Sequence, residues 1–453
     1  MAEAVRHDKT ARQLRLLSDA LDSGRLGPVR RLVNTLSPAE IGNLLESLPP
    51  AKRTVVWGLV DPEDDGEVLV HVGDEVREGL LAEMDPDEII AAVEDLDIDD
   101  LADLVEDLPD TVIDEVLKSM DRDNRERLEQ ALSYPEDTAG RLMNPDVVTV
   151  RTDTTVDVVL RYLRLRGELP EHTDHLYVVS RRHQYLGRIA LQALLVHEAN
   201  TPVNQLIDDQ QPAIDVDESA GSVARQFSDH DWISAPVVDD GNVLLGRITI
   251  DDVVDIIRDQ AEHQALGAAG LDEDEDLFSP VPRAARRRAV WLGINLATAF
   301  LASWVIGRFE GTLEQIVALA VLMPVVASMG GVAGTQTLTL MVRGLALGQV
   351  GTGNLRALLT KEAMVGVLNG FAWAIVVGAV AALWFRDVPL GGVIAAAMMI
   401  NLVVAAIAGV LVPLFLRRMN VDPALAGGVV LTTVTDVVGF LSFLGLATLV
   451  LLR

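Results

Sequence analysis

Cysteine is absent from the 453-residue sequence. Disulfides, thiolate zinc sites and iron–sulfur clusters are therefore excluded, and the composition fits a reducing compartment. The opening segment MAEAVRHDKTARQLRLL lacks the apolar core of a secretory signal peptide, so we do not expect one. The sequence also lacks a Gly-rich phosphate loop, a nucleophile elbow and a His-based metal motif, so we predict that the protein is not an enzyme.

Basic residues are scarce in the first 280 positions, which hold 25 Lys and Arg against 61 Asp and Glu. The remaining positions hold 12 basic and 6 acidic residues. A strongly negative field repels the phosphate backbone of nucleic acid and concentrates cations. We therefore exclude nucleic acid as a partner of the acidic part and expect divalent cations.

Charge is almost absent from five apolar stretches in the last third of the chain. They cover residues 289–307, 315–342, 363–385, 388–416 and 423–452. Each is long enough to cross a bilayer as a helix. Nine basic residues lie on one side of these stretches and three on the other. The positive-inside rule then predicts a multi-pass plasma-membrane protein with cytosolic N-terminal domains and an external C-terminus.

One acidic residue, Asp436, lies in the middle of the fifth stretch. A carboxylate at that depth is costly and usually marks an ion or substrate path. Gly428, Thr432 and Gly439 share its helical face and would form a small, polar stripe beside a narrow pore. The alternative is a structural carboxylate that hydrogen bonds to a neighbouring helix, through Thr432 for example.

The second stretch contains Pro324 together with Gly330, Gly331 and Gln336. We expect such a helix to bend or break and to offer oxygen atoms to an ion, or else to pack closely through its small residues. Mg²⁺ takes oxygen ligands and keeps much of its water, which suits one carboxylate with carbonyl groups. Because each chain supplies one such acid, we expect a two-fold homodimer with a shared pore. Lys361 and Glu362 are interpreted as an interfacial pair.

Residues 12–132 alternate short apolar-periodic segments with turn signals and predict helical hairpins, with Ser37, Asp61 and Asp85 before prolines at helix starts. Their acidic surface is a solvated face or a regulatory Mg²⁺ site shared with the helix that leads to the membrane. The predicted regulatory ligands are Asp95, Asp99, Asp100, Asp103, Asp251, Asp255, Asp259 and Glu262.

An internal repeat relates LYVVSRRHQYLGRIALQALL, from Leu176, to APVVDDGNVLLGRITIDDVV, from Ala235. Each copy predicts two strands and a helix in one α/β unit. The pair resembles a tandem CBS module, which implies sensing of ATP or metal, or a purely structural dimerisation role. Thr249 and Asp252 match the ribose-binding positions of such modules, whereas the first repeat has Ala190 and Ala193.

The whole order of segments resembles the MgtE magnesium transporters. The strings that carry the likeness are SYPEDTAGRLM, LGRITIDDVVDII, PLFLRRMNVDPALAGG and TTVTDVVGF. The resemblance implies a homodimeric Mg²⁺ channel with Asp436 in the pore, closed by a connecting "plug" helix when Mg²⁺ binds the acidic domains. Val332 and Gly428 stand where the family commonly has Asn, and the connecting segment RDQAEHQ is less acidic than usual, which weakens the expectation of strict selectivity and of strong closure.

The predicted fold is multidomain. An all-α acidic domain spans residues 1–132, a tandem CBS α/β domain 133–258, a connecting helix and linker 259–282, and a five-helix transmembrane domain 283–453. The predicted function is down-gradient import of Mg²⁺. The alternatives are a transporter for Mn²⁺ or Co²⁺, and a membrane-anchored CBS sensor without a pore.

Overall fold

The computed structural model describes residues 17, 19–24, 26–94, 96–271, 275–351 and 353–452, except for the side chains of Glu106 and Asp110. The chain divides into two compact units. The N-terminal unit contains the described residues up to Asp259 and the short segment 275–279. The membrane unit contains residues 260–271 and the described residues from Pro280 onward.

The N-terminal unit begins with short helices. They are α1 (Leu26–Val33), α2 (Pro38–Glu46), α3 (Pro50–Trp57), α4 (Asp65–Val70), α5 (Asp74–Leu81), α6 (Pro86–Val93), α7 (Ile98–Glu106), α8 (Asp110–Ser119) and α9 (Arg122–Leu132). Ser37 caps α2 in a reciprocal pair with Glu40, and the Asp85 amide donates to the Glu88 carboxylate at the start of α6, 2.9 Å away. These caps confirm two of the predicted helix starts.

The predicted start at Asp61–Pro62 is wrong. Residues 62–64 form a turn, and α4 begins at Asp65. The reason is close packing, because a Cβ on Gly66 would lie 2.0 Å from the carbonyl oxygen of Ala92. The backbone of α4 therefore touches α6 directly, and the turn sets that approach.

The CBS pair follows after a short helix, α10 (Ala139–Leu142). Its strands and helices are β1 (Thr149–Arg151), α11 (Val156–Arg166), β2 (His175–Val179), β3 (Tyr185–Ala190), α12 (Leu191–Val196), β4 (Ile214–Asp215), α13 (Ala220–His230), β5 (Ser234–Val238) and β6 (Leu244–Thr249). Each repeat forms a three-stranded sheet in which the first strand is parallel and the third antiparallel to the second. The same topology in both copies confirms the predicted α/β repeat.

The two sheets meet through buried side chains at their interface. Tyr177 of the first sheet donates to Ser234 of the second over 3.0 Å, and Ser234 donates to Asp174 over 2.6 Å. Tyr185 and Leu244 complete an apolar contact beside this chain of hydrogen bonds. The repeats therefore pack as one module.

A single helix, α14 (Ile250–Gly267), continues from the last strand of the CBS pair. Its 18 residues correspond to about 27 Å at 1.5 Å per residue. We call it the connecting helix.

Among the described residues of the membrane unit, five helices are long and apolar enough to cross a bilayer. The first to fifth spans are α15 (Val281–Gly307), α17 (Ala318–Ala346), α18 (Leu355–Phe385), α19 (Val388–Arg418) and α20 (Pro423–Leu451), with the short α16 (Glu310–Gln315) after the first. The fourth span is the most buried, and the first packs through Ala302 and Val305 against Phe440 of the fifth. The all-α, α/β and five-span fold class is thereby confirmed.

Candidate functional site

The fifth span positions Asp436 in the middle of one continuous helix, which begins where the Asp422 carboxylate accepts a hydrogen bond from the Ala424 amide at 2.9 Å. Asp436 is partly exposed. Thr432 directs its hydroxyl to the carbonyls of Gly428 and Val429, at 2.9 and 3.1 Å. No described residue forms a hydrogen bond with the Asp436 carboxylate, so the structural alternative through Thr432 is not observed.

The second span is one helix from Ala318 to Ala346, and it is not broken at Pro324. A break is therefore wrong, whereas a bend stays a prediction. Proline removes one backbone donor from the interior of this helix, and the helix nevertheless continues to Ala346. Gly330 does not face an open space, since a Cβ there would lie 2.2 Å from the side-chain nitrogen of Asn401. Gly331 does face open space, and its carbonyl accepts from Thr335 at 2.9 Å.

The second and fifth spans pack directly on one another. A Cβ on Gly334 would lie 3.0 Å from Leu431, and a Cβ on Gly427 would lie 3.0 Å from Leu338. The glycine-rich segment of the second span therefore contacts the helix that carries Asp436, while a shared ion site stays a prediction.

Polar side chains on the second span are exposed although the helix is long enough to lie in a membrane. They are Ser328, Thr335, Gln336 and Thr339. A Cβ on Gly428 of the fifth span would meet no atom within 4 Å, and Val332 is 57% exposed. Exposed polar groups are costly in hydrocarbon, so this face is suited to water or to another protein surface.

The Lys361 and Glu362 side chains form an ion pair of 2.7 Å, as expected. Glu362 is also buried against the second span, where Thr337 donates to it over 3.0 Å. This carboxylate therefore has partners within the bundle, in contrast to Asp436.

A second group of carboxylates forms where α7 meets the start of the connecting helix. Burial raises the pKa of Asp99 well above its usual value, with further contributions from Asp252, Asp100 and Asp97. Burial also raises the pKa of Asp100 to about 7, and Asp97 and Asp251 are among the charges that add to it. One Asp99 oxygen is buried without a hydrogen-bond partner in the described chain. These acids repel one another unless protons or cations neutralise them.

The structure brings Asp99, Asp100 and Asp251 of the predicted regulatory set to this place, and we call them with Asp252 the acidic cluster. Asp103 also adds to the raised pKa of Asp100, but its carboxylate is paired with the buried Arg141, which contacts it at 3.2 Å and donates to the Ala102 carbonyl at 2.6 Å.

The other predicted ligands lie elsewhere. Asp255 lies one turn along from Asp251, near His71, while Asp259 and Glu262 are exposed on the connecting helix and Asp95 is outside the described residues. Within the described ranges, no three His, Cys, Asp or Glu side chains have a geometry ready to hold a metal ion.

Thr249 and Asp252, predicted for nucleotide binding, contact each other. The amide and hydroxyl of Thr249 donate to the Asp252 carboxylate at 3.2 and 3.1 Å, and its hydroxyl also contacts Asp251. Asp252 thereby caps the connecting helix and belongs to the acidic cluster.

Sequence reasoning missed two features. Arg53 forms a buried ion pair of 2.8 Å with Asp276 in the segment 275–279, and Asn401 is fully buried in the fourth span. Asn401 was detectable as the one uncharged polar residue of that 31-residue helix. Nothing in the sequence pattern pairs Arg53 with a linker more than 200 positions away.

Similarity to known proteins extends over most of the chain. The MgtE family model, described as a divalent cation transporter, matches residues 323–446, the MgtE intracellular N domain matches 36–137, and the CBS domain matches 139–199 and 203–259. The chain is 31% identical over 441 residues to the magnesium transporter MgtE of Thermus thermophilus, covering 96% of this chain and 98% of the relative. It is 28% identical to that of Bacillus subtilis, over 94% of this chain and 95% of the relative.

One similar solved structure is a cytosolic domain of the Mg²⁺ channel MgtE in complex with ATP. It is 31% identical, with a TM-score of 0.48, and the match covers 53% of this chain and 98% of that one.

Proposed function

Because this chain belongs to the MgtE family of divalent cation transporters, we propose that it is a Mg²⁺ channel in which Asp436 contacts the passing ion. Family membership also confirms the prediction that the protein is not an enzyme. The observation that carries the proposal is the partly exposed Asp436 carboxylate, which has no hydrogen-bond partner in the described chain and lies in the middle of an apolar helix. A hydrated cation supplies the missing partner.

The pore lies between two copies of the chain. Each copy offers one intramembrane carboxylate on this face, so a two-fold axis doubles the negative charge to match a divalent ion. The exposed polar residues of the second span and the open Gly428 support this arrangement, because a partner and a water-filled path would remove them from lipid.

Cytosolic Mg²⁺ closes the channel through the acidic cluster. Raised pKa values at Asp99, Asp100 and Asp252 indicate that a bound cation would relieve repulsion between α7 and the connecting helix. At its other end the connecting helix contacts the fifth span, where His263 and Asp422 lie 2.8 Å apart and Gly267 packs on Ala424. This helix links Mg²⁺ binding to the helix that carries Asp436.

The N-terminal domains are cytosolic and the C-terminus is external. The excess of Arg and Lys in the loops before the first span, between the second and third, and between the fourth and fifth supports this orientation in the plasma membrane.

The test is ion uptake into liposomes that contain the purified full-length protein. We expect Asp436→Asn to abolish Mg²⁺ uptake and millimolar Mg²⁺ on the cytosolic face to reduce uptake by the unmodified protein. Asp387→Asn is the matched control, since Asp387 caps the fourth span by accepting from the Leu390 amide at 3.0 Å and should leave uptake intact. Normal uptake by Asp436→Asn would refute the pore site.

The same assay separates the alternatives. Uptake of Mn²⁺ or Co²⁺ without uptake of Mg²⁺ would identify a different transported ion. This is the chief alternative, because Val332 and Gly428 stand where the family commonly has Asn. No uptake of any divalent ion would favour an anchored sensor. ATP binding through Thr249 and Asp252 stays a prediction, to be checked by calorimetry with and without Mg²⁺.

A further inference from the structure

Asn401 is a fully buried polar side chain in the fourth span. Its side-chain nitrogen donates to the Val326 carbonyl of the second span over 2.9 Å. Its side-chain oxygen is buried and has no hydrogen-bond partner among the residues that the structure describes. A buried amide whose oxygen has no hydrogen-bond partner is destabilising relative to an apolar residue of the same shape. Its presence in this helix therefore suggests a role other than stability.

Glycines on both neighbouring helices make room for this amide. A Cβ on Gly330 of the second span would lie 2.2 Å from the Asn401 nitrogen, and a Cβ on Gly439 of the fifth span would lie 2.8 Å from it. Any larger residue at either position would displace Asn401. The side chain thus fits between two backbones and hydrogen bonds to one of them.

Both glycines adjoin the proposed ion path. Gly330 precedes the open Gly331 of the second span, and Gly439 follows Asp436 by three residues, less than one helical turn. A shift of Asn401 would therefore move the helix that carries the carboxylate relative to the exposed polar face of the second span.

We propose that Asn401 is a positioning residue of the ion path, whose amide sets the separation of the second and fifth spans and thereby the place of Asp436 relative to the exposed polar side chains of the second span. This inference rests on the proposed function. If Asn401 only fills space, Leu can replace it without loss of ion flux. If its hydrogen bond fixes the distance to the backbone of the second span, Leu cannot replace it. Leu and Asn have the same branching, so the two roles can be separated.

The experiment measures Mg²⁺ and Mn²⁺ uptake against ion concentration for full-length Asn401→Leu in liposomes. We expect about a tenfold lower maximal Mg²⁺ flux, the scale of one buried hydrogen bond, and a changed ratio of Mg²⁺ to Mn²⁺ uptake. Gly378→Ala is the control, because its Cβ would lie 2.9 Å from the Gly391 carbonyl, in a tight contact between the third and fourth spans. It should lower thermal stability and leave the ratio unchanged.

The outcomes distinguish the two proposals. Wild-type flux and ratio in Asn401→Leu, with flux abolished in Asp436→Asn, would overturn the role of Asn401 and leave the pore site standing. Wild-type flux in Asp436→Asn would instead overturn the proposed function. If Asn401→Leu does not yield folded protein, Asn401→Ser retains a donor in a smaller side chain. A changed ratio in that variant supports the inference, and a wild-type ratio contradicts it.

Discussion

At the scale of single residues, the chemistry depends on carboxylates placed in two different environments. Asp436 is isolated on an apolar helix, whereas burial and the charges of neighbouring acidic residues raise the pKa values of Asp99, Asp100 and Asp252. An isolated carboxylate attracts an ion without holding a preformed cage, which suits passage. A crowded set gains stability when a cation binds, which suits regulation.

The acidic cluster predicts a pH dependence in the absence of divalent cations. The folded-state pKa of Asp100 is about 7, above its usual 3.8, so the folded protein binds protons more tightly than the unfolded chain does. Its contribution to stability is fully present below the unfolded value and is lost as the pH rises through about 7. With chelator present, amide hydrogen exchange in α7 should accelerate between pH 5 and 8, after correction for the intrinsic rate.

Adding Mg²⁺ at pH 8 should slow amide hydrogen exchange in α7 again. In Asp100→Asn, the exchange rate in α7 should depend less on both pH and Mg²⁺. Asp157→Asn is a control, because Asp157 forms an exposed ion pair with Arg161. Equal protection of α7 at both pH values without Mg²⁺ would show that the cluster does not couple proton or metal binding to folding.

At the scale of helices and segments, the acidic linker before the first span makes contacts that its composition does not predict. The segment 275–279 lies in an acidic linker, yet Asp276 pairs with Arg53, and Glu75 accepts hydrogen bonds from Ser279 and from the Asp276 amide at 2.6 and 3.2 Å. Arg53 also donates to the carbonyls of Leu45 and Leu48 at 3.0 and 3.1 Å. The segment is thereby held against the helical domain.

Arg53→Ala should release this segment. The Arg53 and Asp276 side chains are only 8% and 5% exposed, and removing one partner of a buried pair costs about 3–5 kcal/mol. We expect faster hydrogen exchange at residues 275–279 and faster proteolysis there in the full-length protein. The exposed pair of Arg122 and Glu126 provides the control, since Arg122→Ala should change neither. Unchanged protection of the segment in Arg53→Ala would refute its docking.

The pattern of apolar residues predicted the helices and strands but not all of the contacts between them. The five spans and the repeated sheet follow from long apolar runs and an internal repeat, which are properties of contiguous sequence. The continuous second span was not predictable from Pro324 and its glycines alone, because the side chains that fill the glycine positions, such as Asn401 and Leu431, come from other helices. The pairing of Asp103 with Arg141 is likewise a long-range contact.

At the scale of the whole molecule, we assign different functions to the acidic and the apolar parts of the sequence. In the proposed mechanism the acidic N-terminal unit collects divalent cations and the apolar unit carries the ion path, while residues of the connecting helix belong to both units. The order of domains could be predicted from the sequence. The proposed two-fold pore could be predicted from the single intramembrane Asp436 of each chain and from the family resemblance, but not from contacts, since a single chain does not contain its partner.

The absence of cysteine allows the most direct measurement, since Gly428→Cys introduces the sole thiol of the chain on the same helix as Asp436. A Cβ at Gly428 meets no atom within 4 Å, so the variant should conduct Mg²⁺. Our account predicts that Cd²⁺ blocks this variant but neither the unmodified protein nor Leu441→Cys, whose position on the fifth span is 53% exposed. Unblocked Mg²⁺ flux through Gly428→Cys, or equal block of Leu441→Cys, would contradict an ion path along the Asp436 face.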